Sequence, residues 1–428
     1  MSSQRVVVVG GGVAGLSTAY FLRRRGAEVT VLESRRMGSA ASAVNAGWLC
    51  PGQAGPLPEP GLAAYGVRSL LDRDSALYFA PSQLPRMASW LLRFARHCNE
   101  RDNRAGTAAL ARLARRTFEL TETMAADGVE FELHRRGLLV AAQERAAVES
   151  FRAGLEPLRD AGLAVPERVL SGAEVREREP TLAASVSAGL HVEQHWHVHP
   201  PTFMAGLSAR LREMGVALEE GTEVTELVGA DGRVRELRST AGSFAADAVV
   251  LATGAWAPRL ARQRGIRLPV QAGKGYSFEV GMARLPGHAL LLLEPHVGVS
   301  PLGDRLRVGG TMEFSGINER LDQDRVDTIV RGAGRMLEGL ESPQPENVWS
   351  GMRPIASDGL PIVDRAPRHH NLYLAAAYSM LGMTIAAPAG DALAELILTG
   401  RRPPELEPFS AARFARRRAR ARSAPGPT

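Results

Sequence analysis

Cysteine is nearly absent from this chain of 428 residues; Cys50 and Cys98 are the only two. Two thiols do not make a disulfide framework, and no CxxC pair exists for an iron–sulfur cluster or a thiolate zinc site. The scarcity fits a reducing compartment. Long apolar runs are also missing: none approaches the ~20 residues that span a bilayer. The stretch from Met1 to Arg5 enters a strand directly, without the charged, apolar and cleavage regions of a secretory signal. No segment repeats at a solenoid period. The expectation is a cytoplasmic, globular protein, and the length suggests two to three domain-sized cores.

Charge is nearly balanced along most of the chain. The net value is +6, and much of the surplus sits in a tail carrying Arg413, Arg416, Arg417, Arg418, Arg420 and Arg422. A terminal cluster of this kind reads as a solvated end. Two other readings stay open: peripheral contact with anionic lipid at the inner membrane face, and recruitment of nucleic acid. Against nucleic acid, the charge is confined to the tail and no aromatic-interleaved basic groove is visible.

What is present is concentrated at the start. Arg5 to Val9 is a β-branched run suited to a buried parallel strand, and Gly10-x-Gly12-x-x-Gly15 follows at once. Leu16 to Arg25 reads as a helix stopped by Gly26, and Glu28 to Leu32 as a second strand closing at Glu33. In such a unit Gly10 permits the turn, Gly12 lets backbone approach a pyrophosphate, and Gly15 lets helix pack on strand. The helix N-terminus offers free N–H groups to phosphate. Glu33 is placed to accept ribose hydroxyls, which favours a free 2′-OH. A small, polar segment from Ser39 to Gly47 follows, and a strand running into Thr253-Gly254 appears some 200 residues later. A nucleotide domain split by so long an insertion is common in flavoproteins and uncommon in simple nicotinamide dehydrogenases.

Six stretches now carry a family resemblance: VVVVGGGVAGLSTAYFL, SAASAVNAGWLCPG, ADAVVLATGAWAP, GKGYSFEV, WSGMRPIASDGLPIVD and NLYLAAAYSMLGMTIAAPAG. In this order they resemble the D-amino-acid oxidase/dehydrogenase superfamily of FAD enzymes, most closely the bacterial D-amino-acid dehydrogenases, with glycine oxidase and sarcosine oxidase as relatives. The resemblance implies an α/β fold (α+β overall): a GR2-type, Rossmann-like FAD domain interleaved with a mixed-sheet substrate domain. The expected FAD segments are residues 1–80, 196–268 and 341–408. The substrate segments are 81–195 and 269–340, and 409–428 is expected as a basic flexible tail. Residues 82–127 read as helical, 129–133 and 137–141 as strands, 200–214 as a helix, and 383–398 as a final helix.

The resemblance further implies oxidation of an amino acid, a D-amino acid in the first place, at its Cα–N bond, with non-covalent FAD as hydride acceptor. The imino acid product then hydrolyses to a 2-oxo acid. Glycine, sarcosine, other N-alkyl and cyclic proline-type amino acids are the alternative substrates. The electron acceptor (quinone, carrier or O₂) stays open. By the same resemblance Arg353 in Gly-Met-Arg-Pro would grip the substrate carboxylate as a planar bidentate cation. Tyr276 would add a phenol hydrogen bond, and Tyr378 stands where the family usually has histidine after glycine. Expected FAD contacts are Gly10, Gly12, Val13, Ala14, Gly15, Glu33, Ser34, Ser42, Asn45, Ala46, Gly47, Val224, Thr253, Gly254, Trp256 and Arg353. Leu381, Gly382, Met383 and Thr384, at the start of the last helix, would stabilise negative charge at the flavin edge. Lys274 is expected to face flavin or solvent, and Asp364, where relatives often have glycine, is read as a solvated loop residue. His195, His197 and His199 alternate as strand residues on one face do, but no carboxylate pattern completes a metal site, so none is expected. A role at the site entry or on a strand surface is expected for them instead.

Overall fold

The computed structural model describes residues 4–69, 75–340 and 344–414. The run of valines after Arg5 forms the strand Arg5–Val9, hydrogen-bonded in parallel on both sides. Val6 and Val8 enter one apolar layer with Leu16, Tyr20 and Leu393. Val7 and Val9 enter the opposite layer with Val249 and Leu260. Period-two alternation therefore buries both faces, and a continuous apolar run is what such a strand needs.

The sheet built on it has the order Ala217–Glu219, Glu28–Leu32, Arg5–Val9, Ala248–Leu251, Leu372–Ala376, Ile362–Arg365, and only the last pair is antiparallel. Helices Val13–Arg24 and Gly382–Thr399 pack together on one face. A three-stranded antiparallel hairpin sheet, Val224–Val228, Glu236–Ser239 and Gly242–Ala245, and the helix Ala257–Gln263 cover the other. Strand order reverses at Arg5–Val9, whose neighbours come from residues 28 and 248. Such a switch point opens a crevice at the carboxyl ends of the strands. The turn there requires glycine: Gly10 has φ +111°, and a Cβ on it would stand 2.5 Å from the Ala252 carbonyl oxygen. A Cβ on Gly15 would stand 1.9 Å from the Gly10 oxygen.

The second body is a nine-stranded mixed sheet. Its order is Glu346–Ala356, Val270–Val280, Arg305–Phe314, Val297–Leu302, Ala289–Leu292, Leu138–Ala142, Ala188–Val192, Leu170–Ser171, with Leu77–Phe79 pairing beside Arg305–Phe314. The interleaved two-sheet architecture agrees with the expected fold class, but several boundaries move. Leu77–Phe79 and Glu346–Ala356 belong to the large sheet, although the segments 1–80 and 341–408 were expected on the nucleotide side. Helices Glu100–Ala114 and Thr117–Ala126 pack against Gly382–Thr399, not only against the large sheet. The residues 129–133 are paired only at Leu133–His134. Periodicity announces a strand but is silent about which sheet takes it.

The expected tail also shortens. Phe409 is buried, and Arg413 donates through Nε to Asp358 at 2.6 Å and through Nη2 to the carbonyls of Leu360 and Pro361. Residues 409–414 are thus packed; Arg416, Arg417, Arg418, Arg420 and Arg422 lie outside the described residues. Among the described residues no helix is long and apolar enough to cross a membrane. Asp364 is not a solvated loop residue: its side chain is 1% exposed and takes Arg402 Nη2 on both oxygens, at 2.8 and 2.9 Å. Arg402→Ala strands a buried carboxylate and is expected to lower unfolding free energy by roughly 3 kcal/mol, read from urea denaturation. A change below about 0.5 kcal/mol, the range of ordinary surface substitutions, would show that Asp364 does not depend on it.

Candidate functional site

A cavity of about 2040 Å³ opens at the carboxyl ends of the parallel strands and runs to the large sheet. Pockets for a single small ligand span about 300–1,000 Å³, so this one has room for more than one group. Its nucleotide end is lined by Gly10, Gly12, Val13, Ala14, Glu33, Ser34, Ser42, Asn45, Ala46, Val224, Thr253, Gly254 and Trp256. Gly15 and Gly47 do not line it and act through close backbone packing, Gly47 against the Val198 carbonyl.

The helix Val13–Arg24 begins without a side-chain cap on Gly12. Val13 N donates to Ser42 Oγ at 2.9 Å, whereas the amides of Gly12, Ala14 and Gly15 have no acceptor among the described residues. Converging free amides at a helix start form an anion cradle. The carboxylate of Glu33 is fixed by Gly11 N at 2.7 Å and Arg35 N at 2.9 Å, and its remaining lone pairs can still accept. Asn45 mostly folds its own loop: Nδ2 donates to the Ala41 and Ser42 carbonyls, and Oδ1 accepts from Gly47 N. Thr253 Oγ1 is buried with no partner.

A second helix start faces the same space. Leu381, Gly382 and Met383 line the cavity, and the amides of Gly382, Met383 and Thr384 have no acceptor among the described residues. The side chain of Thr384 is turned elsewhere: its hydroxyl accepts from Cys50 N at 3.0 Å and donates to the Trp48 carbonyl at 3.2 Å. Cys50 lines the cavity as well. Burial pushes its thiol up to about 11, with the Thr384 hydrogen bond opposing, so it is no thiolate nucleophile.

At the far end, Arg353 sits opposite Gly273 in the strand pair Val270–Val280 and Glu346–Ala356. Its guanidinium lies on Gly275, where a Cβ would be 2.0 Å from Nη1. Nη1 donates to the Thr311 carbonyl at 2.8 Å, with Met312 Sδ at 3.9 Å. No acid lies within salt-bridge reach of it among the described residues, and burial lowers its pKa to about 10. A desolvated cation without a counterion favours an incoming anion. Leu57, Tyr65, Phe79, Trp90 and Phe314 add an apolar wall to the same cavity.

Tyr378 lines the cavity, and its buried phenol oxygen has no partner. Burial raises its pKa, so it stays a neutral donor. Its neighbours Ala377 and Ser379 hold φ of 59° and 51°, left-handed conformations that cost a non-glycine residue about 1–3 kcal/mol each. Ser379 N donates to the Pro354 carbonyl at 3.0 Å, which ties this turn to the residue after Arg353.

Tyr276 contributes to the cavity lining beside Gly275, but its side chain does not accompany that of Arg353. With Gly273 opposite Arg353 in an unbroken register, a residue three positions on projects from the other face. The Tyr276 hydroxyl donates to Glu313 Oε2 at 2.6 Å. Lys274 faces neither flavin space nor solvent: Nζ pairs with Glu313 Oε1 at 2.8 Å and the pair is 2% and 5% exposed. The histidines do not share a strand face. His195 precedes the strand Trp196–Val198, fully buried edge-on to Trp48. His197 stacks on His134, and His199 stands at the N-cap position of the helix Pro200–Glu213 without a side-chain capping bond. No group of metal-ligating residues exists among the described residues. Gly275, Thr311 and Met312 were missed; glycine within a strand, a mark of close backbone approach, was the available signal.

Comparison with known proteins shows the family. Residues 5–396 match the family model described as FAD dependent oxidoreductase (DAO). The D-amino acid dehydrogenase of Cereibacter sphaeroides is 32% identical over 413 residues, covering 94% of this chain and 93% of that one. The glycine oxidase of Geobacillus kaustophilus superposes with a TM-score of 0.73 at 26% identity, over 96% of this chain and 100% of that one. The iminodiacetate oxidase of Chelativorans sp. gives 0.72 at 25% identity, over 95% and 98%. Gly10→Ala places a methyl group against the Ala252 carbonyl in a left-handed turn. It is expected to yield protein with less than about a tenth of the wild-type flavin absorbance, since the cradle cannot close without its turn. Full flavin content would refute the cradle.

Proposed function

Because the chain belongs to the DAO family of FAD-dependent oxidoreductases, we propose that it oxidises an amino acid at the Cα–N bond, a D-amino acid in the first instance. One observation carries the substrate reading: Arg353 is a half-buried guanidinium without an acid partner among the described residues, opening into the same cavity as the nucleotide cradle. Bound FAD supplies the two-electron hydride acceptor. The residues present fit that group. Gly12 and Ala14 would hold the pyrophosphate through their free amides, and Glu33 would take ribose hydroxyls. The amides of Gly382 to Thr384 would face the ring edge where negative charge gathers. Burial holds the Cys50 thiol protonated, and no cysteine stands near residues 351–354 in the sequence, which supports non-covalent binding.

Arg353 then orients the substrate by its carboxylate, leaving the Cα–H bond directed at the acceptor. Tyr378 supplies a neutral hydrogen-bond donor nearby. The apolar wall of Leu57, Phe79, Trp90 and Phe314 sheds water from the reacting carbon and suits a substrate with an apolar side chain. Removal of bulk water also favours the free amine over the ammonium. The imino acid leaves and hydrolyses to the 2-oxo acid; a quinone, a carrier or O₂ takes the electrons onward.

An anaerobic screen over D-, L-, N-methyl and cyclic amino acids, read as bleaching of flavin absorbance, tests this directly. Bleaching by a D-amino acid is expected; no bleaching by any amino acid would overturn the proposal. Arg353→Lys keeps the charge but loses the planar fork, and is expected to raise KM by roughly 10- to 100-fold. An unchanged KM would remove Arg353 from the carboxylate site. The pH profile has two opposing limbs. Activity rises as the substrate amine deprotonates, and kcat/KM falls above about 10 as Arg353 loses its proton. A plateau extending to pH 11.5 would show that Arg353 keeps its proton throughout and that burial does not set an alkaline limb.

A further inference from the structure

The strand Arg305–Phe314 carries one residue too many. Lys274 pairs with Glu313 and Tyr276 with Gly310, so Thr311 and Met312 together oppose the single Gly275. This is a β-bulge. Its first residue, Thr311, is β-branched yet has φ +64°, a conformation that needs external support. The two bulge residues are the ones that touch Arg353, one through its carbonyl and one through its sulfur.

The residue after the bulge supplies that support. Glu313 Oε1 takes Lys274 Nζ and Oε2 takes the Tyr276 hydroxyl, and these two donors flank Gly275 in sequence. One carboxylate therefore grips the partner strand on both sides of the glycine that bears the guanidinium. Lys274 is the only lysine in the chain; every other basic side chain is arginine. A compact ammonium suits the place, because it also donates to Asn318 Oδ1 at 3.1 Å and to the Arg320 carbonyl at 2.9 Å. Burial opposes the Glu313 charge, but hydrogen bonds from Lys274, Ser315 and Tyr276 outweigh it and hold the carboxyl below its ordinary range. Without the grip, the extra residue can migrate along the strand, and a shift of one residue turns a side chain to the opposite face.

We propose that Lys274, Glu313 and Tyr276 are positioning residues: from behind the sheet they lock the Thr311–Met312 bulge, and the bulge sets the Arg353 guanidinium for the substrate carboxylate. The inference rests on the amino-acid reading of the site. It assigns Tyr276 an indirect role in substrate binding, exerted through the backbone.

The test uses the full-length, FAD-loaded protein and benzoate, a carboxylate with no oxidisable amine. Binding is measured by titration calorimetry for wild type, Tyr276→Phe, Glu313→Gln, Arg353→Ala and the double variant Tyr276→Phe/Arg353→Ala. Tyr276→Phe is expected to weaken benzoate roughly fivefold and to raise the amino-acid KM by a similar factor, with kcat and flavin content held. In the Arg353→Ala background the same change is expected to have no further effect, as coupling requires. Glu313→Gln is expected to show the larger loss. If it does not fold, the Tyr276 pair decides alone. Benzoate affinity within twofold of wild type in Tyr276→Phe overturns the inference, as does an equal loss with Arg353 absent. If Arg353→Ala leaves benzoate binding intact, the carboxylate reading itself fails, and the inference falls with it by a separable result.

Discussion

A half-buried guanidinium with no carboxylate beside it among the described residues is the constraint around which this site is arranged. Arg353 has a backbone carbonyl, a thioether and a glycine for company. None of them neutralises a charge, and a partly desolvated cation without a counterion is costly to keep. The surrounding fold must therefore be stable enough to hold it. The left-handed residues Thr311, Ala377 and Ser379 cluster about the same space, so the strain gathers where a ligand would bind.

The cavity exists because two sheets are joined across it by polar ties. The loop from Ala41 to Gly47 leaves the nucleotide sheet and docks on the large one. Ser277 donates to the Val44 carbonyl, Ser300 to the Ala46 carbonyl, and Arg307 to the carbonyls of Ala43 and Asn45. Arg307 is itself buried and paired with Glu279 at 2.6 Å, so its charge is compensated where that of Arg353 is not. Two arginines on strands separated by one in the same sheet thus stand in opposite electrostatic settings. Arg307 is a strut with its charge paired, and Arg353 has no acid partner among the described residues.

Legibility in the sequence followed the range of the interactions. The nucleotide cradle is a local object: a strand, a turn and a helix within some thirty residues, whose glycines have steric reasons visible in the letters alone. Arg353 was singled out through its motif. Tyr276 was misplaced because its direction depends on strand parity against Arg353, and parity is set by a pairing between residues far apart in the chain. Lys274 and Asp364 failed for a related reason. A charged residue in a run of text looks solvated until a partner 39 or 38 positions away, Glu313 or Arg402, turns out to be paired with it.

By itself, the sequence determined a parallel nucleotide-binding unit, an interrupted domain order and a family-typical arginine, because periodicity, turn chemistry and short motifs act over neighbouring residues. Tertiary structure alone decided which sheet each strand joined, which face of the large sheet looks into the cavity, and where an extra residue bulges. Those outcomes follow from long-range register and from burial, and a shift of one residue in either would exchange the inner and outer side chains.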